Sequence, residues 1–222
     1  MRTAEDLRRR WHDRVRLVFA RVGMYATTGH EMQLYAETLL DDLCFLDERD
    51  DEFRAATEEL RRHGKLGVHG PFAALFGAEG RYVPEVASVF AEVYHRLGYL
   101  SVDRLLTVEE WAPFADVRDW VGERDIRRGE VVATFGAPSL VVDKQVLCYA
   151  PADGSGWVFV DCWDERTPRY EPGLGRFDVP VEDDPLVRDV RVPADTFEDG
   201  LVLTLLGRVL RWGPGWWIHH DR

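Results

Sequence analysis

Lysine is nearly missing from this chain. Of 222 residues only Lys65 and Lys144 are lysines, and the 28 basic residues face 40 acidic ones. The formal charge of −12 disfavours any broad basic face for a phosphate backbone, so no nucleic-acid partner is expected. Cysteine is scarce too. Cys44, Cys148 and Cys162 form an odd, widely spaced set, which excludes a secreted disulfide framework and suits free thiols in a reducing compartment. Long apolar runs are absent. The stretch "LVLTLLG" from Leu201 is far shorter than the roughly 20 residues that span a bilayer, and the charged N-terminus lacks the apolar core of a signal peptide. A cytoplasmic protein away from membranes is expected.

Catalytic and metal signatures are also lacking. There is no H-E-x-x-H, C-x-x-C or G-x-S-x-G, and Ser139 after its tight turn stands outside any such motif. "GKLGVHG" has glycines but not the order of a phosphate loop, and it reads as a flexible connection. His219 and His220 beside Asp221 are good ligand types, but adjacent histidines at a chain end seldom converge on one ion. Neither a metal nor a cofactor is expected. Glu109, Glu110, Asp116 and Asp119 read as the solvated face of a Trp-rich helix.

What is present is a helical half followed by a β-rich half. Thr3 and Asp6 form an N-cap signal, and Leu7, Trp11, Val15, Val18 and Val22 follow at helical spacing. A second helix is predicted from Glu31 to Leu46, with Leu34, Leu39, Leu43 and Phe45 facing inward. A third starts near Glu52 and stops at Gly64. A short turn near Phe72, a strong helix from Pro84 to Leu97 and a further helix from Val108 to Val121 complete that half. Composition changes near Gly122, where "GERDIRRGE" reads as a link. Two units are therefore expected: a helical one at 1–122 and an α+β one at 123–222, or one continuous domain.

The second unit opens with a helix at Arg128–Phe135, stopped by Gly136 and Pro138. "LVVDKQVLCY" is strand-like and divisible at Asp143-Lys144. "GWVFVDCW" is the firmest strand, with Val158, Val160 and Cys162 on one face and Trp157, Phe159, Asp161 and Trp163 on the other. Residues 165–185 read as an exposed loop, "LVRDVRVP" as a strand, and "ADTFEDGLVLTLLGRVLRW" as a helix. The fold class is α+β, a helical half packed on a small antiparallel sheet.

Two stretches resemble known families. Val132, Phe135, Gly136, Pro138 and Tyr149 form a helix–Gly-x-Pro–hairpin unit, about a fifth of the chain. This unit is similar to the repeat of bacterial outer-membrane assembly lipoproteins and of β-lactamase inhibitory proteins. The lipoproteins' lipobox is absent here. Gly23, Met24 and Tyr25 resemble the R-P-G-M-Y opening of bacterial immunity-type proteins that neutralise polymorphic toxins, with Val22 where proline is expected. Both resemblances imply a non-enzymatic binding protein.

These readings lead to an intracellular protein-binding module, an inhibitor or immunity-type protein facing a basic toxin or enzyme. Its contact candidates are Trp157, Phe159, Asp161 and Trp163 on the strand and Asp47, Asp50 and Asp51 in the acidic run. A covering helix is the alternative fate of the aromatic face. A small hydrolase or transferase is the alternative function. Its cleft would lie between the halves, with Asp161, His95 and Tyr149 as first candidates. A scaffold that self-associates through the aromatic face is a third.

Overall fold

A computed structural model describes residues 3–64, 67–77, 82–163, 165–171 and 175–214. His219, His220 and Asp221 lie outside them. The helical half begins with α1 (Ala4–Ala20), closed at its start by the Thr3–Asp6 capping box. Helix α2 (Gly29–Leu46) carries a second capping box, Thr28 with Glu31. Helix α3 (Asp50–Arg61) collects Asp50, Asp51 and Glu52 in its first turn, where the helix dipole favours negative charge. Then come α4 (His69–Phe76) and α5 (Val83–Arg96).

The helix expected over Val108–Val121 is broken. It divides into α6 (Val108–Trp111), a 3-10 stretch from Ala112 to Asp116, and α7 (Val117–Val121). Pro113 lacks the N–H that a continuous helix would use at that point. Helix α8 spans Arg128–Phe135, and Gly136 ends it at φ 78°. On α2 the expected inward set separates. Leu39 and Leu43 are buried, whereas Leu34 and Phe45 are exposed.

The β-half is a five-stranded antiparallel sheet in the order β1 (Leu140–Val142), β2 (Val146–Tyr149), β3 (Val158–Cys162), β6 (Val187–Arg191), β7 (Leu201–Leu203). Asp143 and Lys144 make the tight β1–β2 turn, both at positive φ. Residues 165–185, expected as a loop, hold a second hairpin of β4 (Arg166–Glu171) and β5 (Gly175–Pro180). The helix expected near the C-terminus is three elements: α9 (Phe197–Gly200), strand β7, and α10 (Leu205–Trp212). The β-branched run at Val202 prefers a pleated surface, and Thr204 then caps a fresh helix.

Helices cover both faces of the sheet. On one side Val142, Val146, Cys148, Trp157 and Phe159 join the core of α1–α5. On the other, Val158, Val160, Cys162, Val187 and Val190 pack with Phe114, Val117, Val131 and Phe135 from the 3-10 stretch, α7 and α8. Ile126, in the stretch read as a link, is fully buried in this second core, and its carbonyl accepts the N–H of Val187. No helix among the described residues is long and apolar enough to cross a membrane.

Candidate ligand-binding cleft

Helix α5 is apolar almost all round, yet Glu85, Ser88 and Glu92 sit on it at intervals of three and four residues. That spacing places them on one stripe. The stripe lies over the β3–β6 seam and meets a polar partner at each step.

At its closed end, Glu85 and Asp161 are both fully buried beside Arg188. Arg188 pairs with Glu85, with Asp161 at 2.5 Å, and through Nε with Asp189 at 3.1 Å. Gln145 Nε2 donates to Asp161 at 2.8 Å and to Glu85 at 3.2 Å. A β-bulge produces this convergence. Asp161 lies opposite Asp189 but Cys162 lies opposite Val187, so Arg188 is the extra residue. Strict alternation would send Arg188 to the face opposite Asp189.

Burial and the neighbouring Asp161 push the Glu85 carboxyl well up, which favours its protonated form. Burial acts the same way on Asp161, but Arg188 and hydrogen bonds from Glu85 and Gln145 outweigh it and keep that carboxyl low. Burial, with Asp161 close by, pushes Asp189 up to about 7. Phe76 and Trp163 lie against the Arg188 guanidinium and close this end.

At the middle step, Ser88 Oγ accepts from Arg191 Nη2 at 2.8 Å. Arg191 is 3% exposed and lies against the rings of Phe72 and Phe159. Its Nε and Nη1 have no hydrogen-bond acceptor; Asp189 Oδ1 stands 3.6 Å from Nε.

At the open end the stripe enters a cleft of about 690 Å³. Helices α3 and α5 form one wall, and the β2–β3 turn and the chain after β6 form the other. Glu92 lines it, with Oε1 accepting the Trp157 N–H at 2.9 Å. Burial pushes this carboxyl up to about 7, against the pull of that hydrogen bond and of Arg96 and Arg191. His95 Nδ1 lies 2.9 Å from Leu100 O, the geometry of an Nδ1–H donor, and its ring lies against Trp157. His63 stacks on Phe197 at 4.1 Å, and burial holds its imidazole toward the neutral form. At the rim, Glu59 and Arg96 bind each other through two parallel bonds of 2.8 Å.

This arrangement reassigns the residues singled out from sequence. Trp157, Phe159 and Asp161 do share a face, but α5 covers it. They are 5%, 6% and 0% exposed, so they form no open docking surface. Trp157 and Phe159 instead line the cleft, and Asp161 belongs to the sealed network. Trp163 is half-buried beside Arg188. Asp47 is tied to Arg8 at 2.6 Å, whereas Asp50 and Asp51 are exposed. Asp161, His95 and Tyr149 do not meet. Tyr149 lies on the opposite sheet face and donates to Gly136 O. Ser139 is buried, its Oγ accepting the N–H of Ala150.

Glu92 and Arg191 were not singled out from the sequence, and His63 stood out only as a flank of the glycine-rich "GKLGVHG". The readable signal for Glu92 was the polar stripe on an otherwise apolar α5. Among the described residues no group of three or more His, Cys, Asp or Glu side chains is placed to hold a metal ion. Searches with protein-family models, curated proteins and solved structures find no match to this chain.

Proposed function

We propose that this protein works by binding a small ligand in the cleft between α3, α5 and the end of the sheet. The carrying observation is the cleft itself. It is large enough for a small organic molecule, walled by Trp157, Phe159 and Phe197, and furnished with Glu92, His95 and Arg191. A carboxyl that titrates near neutral pH in such a place also suits proton transfer, which keeps the hydrolase or transferase alternative on the same site. Three buried free thiols support a reducing, cytoplasmic setting.

The test is fragment binding followed by NMR. Saturable shifts at the Trp157 indole and His95 imidazole are expected, and they should vanish in Ser155→Trp. Ser155 is exposed at the cleft mouth, so the new ring obstructs entry without entering the core. Shifts scattered elsewhere, or untouched by Ser155→Trp, overturn the reading.

Asp50 and Asp51 support a second reading. Exposed on the first turn of α3 in a chain of net charge −12, they suit contact with a basic protein such as a toxin or enzyme. The immunity-type role belongs to this reading. Reversing both charges should slow association with such a partner at low salt. An unchanged on-rate removes them from the contact.

A further inference from the structure

We infer that the cleft takes a zwitterion: a small molecule with a carboxylate for Arg191, an ammonium for Glu92, and an apolar body for the aromatic wall. The inference rests on the cleft being the working site.

The charged side chains lining the cleft are Glu59, Glu92, Arg96 and Arg191, two of each sign. Glu59 and Arg96 satisfy each other at the rim in a two-pronged pair. That leaves one anion and one cation. Arg191 is more than nine-tenths buried, and its Nε and Nη1 lack acceptors. Rings of Phe72 and Phe159 lie against the guanidinium, so an acceptor has to approach it in its plane. A carboxylate oxygen is a strong, charge-assisted acceptor for the unused Nη1–H. Glu92 gives Oε1 to the Trp157 N–H, and its other oxygen makes no hydrogen bond within the described residues.

Glu92 and Arg191 feel each other's field but form no ion pair. Neither therefore neutralises the other, and Asp189, the carboxylate beside Arg191, stands 3.6 Å from Nε without a hydrogen bond. A ligand of a single charge would answer one and leave the other. A molecule bearing both groups answers both and leaves the net charge of the cleft unchanged. Trp157, Phe159 and Phe197 supply the contact area for a hydrocarbon or aromatic body.

Three probes of one shape separate the terms: L-phenylalanine, 3-phenylpropanoate and 2-phenylethylamine. They are titrated calorimetrically into the full-length protein at pH 8, where Glu92 is ionised. Phenylalanine is expected to bind at least tenfold more tightly than either analogue. In Glu92→Gln the ratio of phenylalanine to 3-phenylpropanoate affinity should fall close to one. Arg191→Met is the mirror variant, but it disturbs the buried network, so Glu92→Gln carries the decision. An analogue that equals phenylalanine, with binding abolished by Ser155→Trp, overturns the zwitterion and leaves the cleft as a site for a singly charged ligand. An undiminished ratio in Glu92→Gln overturns it too. If no probe binds while fragments still occupy the cleft, the ligand class is wrong. If fragments also fail, the cleft reading falls with it.

Discussion

Glu92 exchanges protons near neutral pH because the fold takes its carboxyl out of water, and this has a sign that stability measurements can read. Its folded value of about 7 lies above the ordinary 4.5. Below about 4.5 both folded and unfolded chains hold the proton, and the group's contribution is fully present. As pH rises through 7 that contribution is lost, since the unfolded chain ionises first. Glu92→Gln keeps an acceptor for the Trp157 N–H and cannot ionise. It should match the wild type near pH 4.5 and be the more stable protein at pH 8, by roughly 3 kcal/mol. Urea melts across that range check this, and parallel pH profiles for the two proteins count against it. The sealed network gives a paired expectation. Burial favours the protonated form of Glu85, which Gln imitates as both acceptor and donor, so Glu85→Gln should cost under about 1 kcal/mol. Asp161 is held ionised against Arg188, so Asp161→Asn should cost about 3 kcal/mol or more. Equal costs would mean that the proton is placed wrongly. None of this was readable from the strand sequence alone. "RDVR" looks like a solvated alternation until the bulge turns Arg188 onto the same face as Asp189 and Arg191.

At the scale of elements, local chemistry was legible wherever it was decisive. The break at Asp143-Lys144, the α8 span and its Gly136 stop, and the two faces of β3 follow from turn residues and period-two patterning. Elements decided by tertiary packing were not legible. Leu34 and Phe45 have helical spacing but face away from the partners of α2, and β7 forms because β6 offers it an edge. Helix α10 shows how close that packing is. A methyl at Gly207 would stand 2.0 Å from the backbone oxygen of Arg188, and Thr204 Oγ1 also reaches that oxygen, at 3.0 Å. Backbone on a central strand cannot swing aside as a side-chain tip can. Gly207→Ala should therefore lift α10 off β6 and cost about 1–3 kcal/mol by denaturant melt. An unchanged midpoint would show that α10 does not sit against the bulge in solution.

The whole molecule is built around one sheet that both cores share, and this governs how it should come apart. The core of α1–α5 is completed by Val142, Val146, Cys148 and Phe159, and the core of α7 and α8 uses the opposite faces of the same strands. Removing either layer uncovers a sheet face, so residues 1–122 alone lack part of their own core. A change of composition at Gly122 is visible in the sequence, but a shared sheet is not, because it depends on contacts far apart along the chain. The three thiols sample the arrangement. Cys44 lies in α2, Cys148 on the inner sheet face and Cys162 on the outer, all at 0% exposure. Burial also pushes each thiol upward in pKa, which suppresses the reactive thiolate. Under native conditions all three should resist alkylation. In increasing denaturant they should become reactive together, at one midpoint that matches loss of the circular dichroism signal. Pulsed alkylation read by mass spectrometry resolves each site. If Cys162 reacts well before Cys44, the outer layer opens by itself, and the shared sheet does not bind the two cores into one cooperative unit.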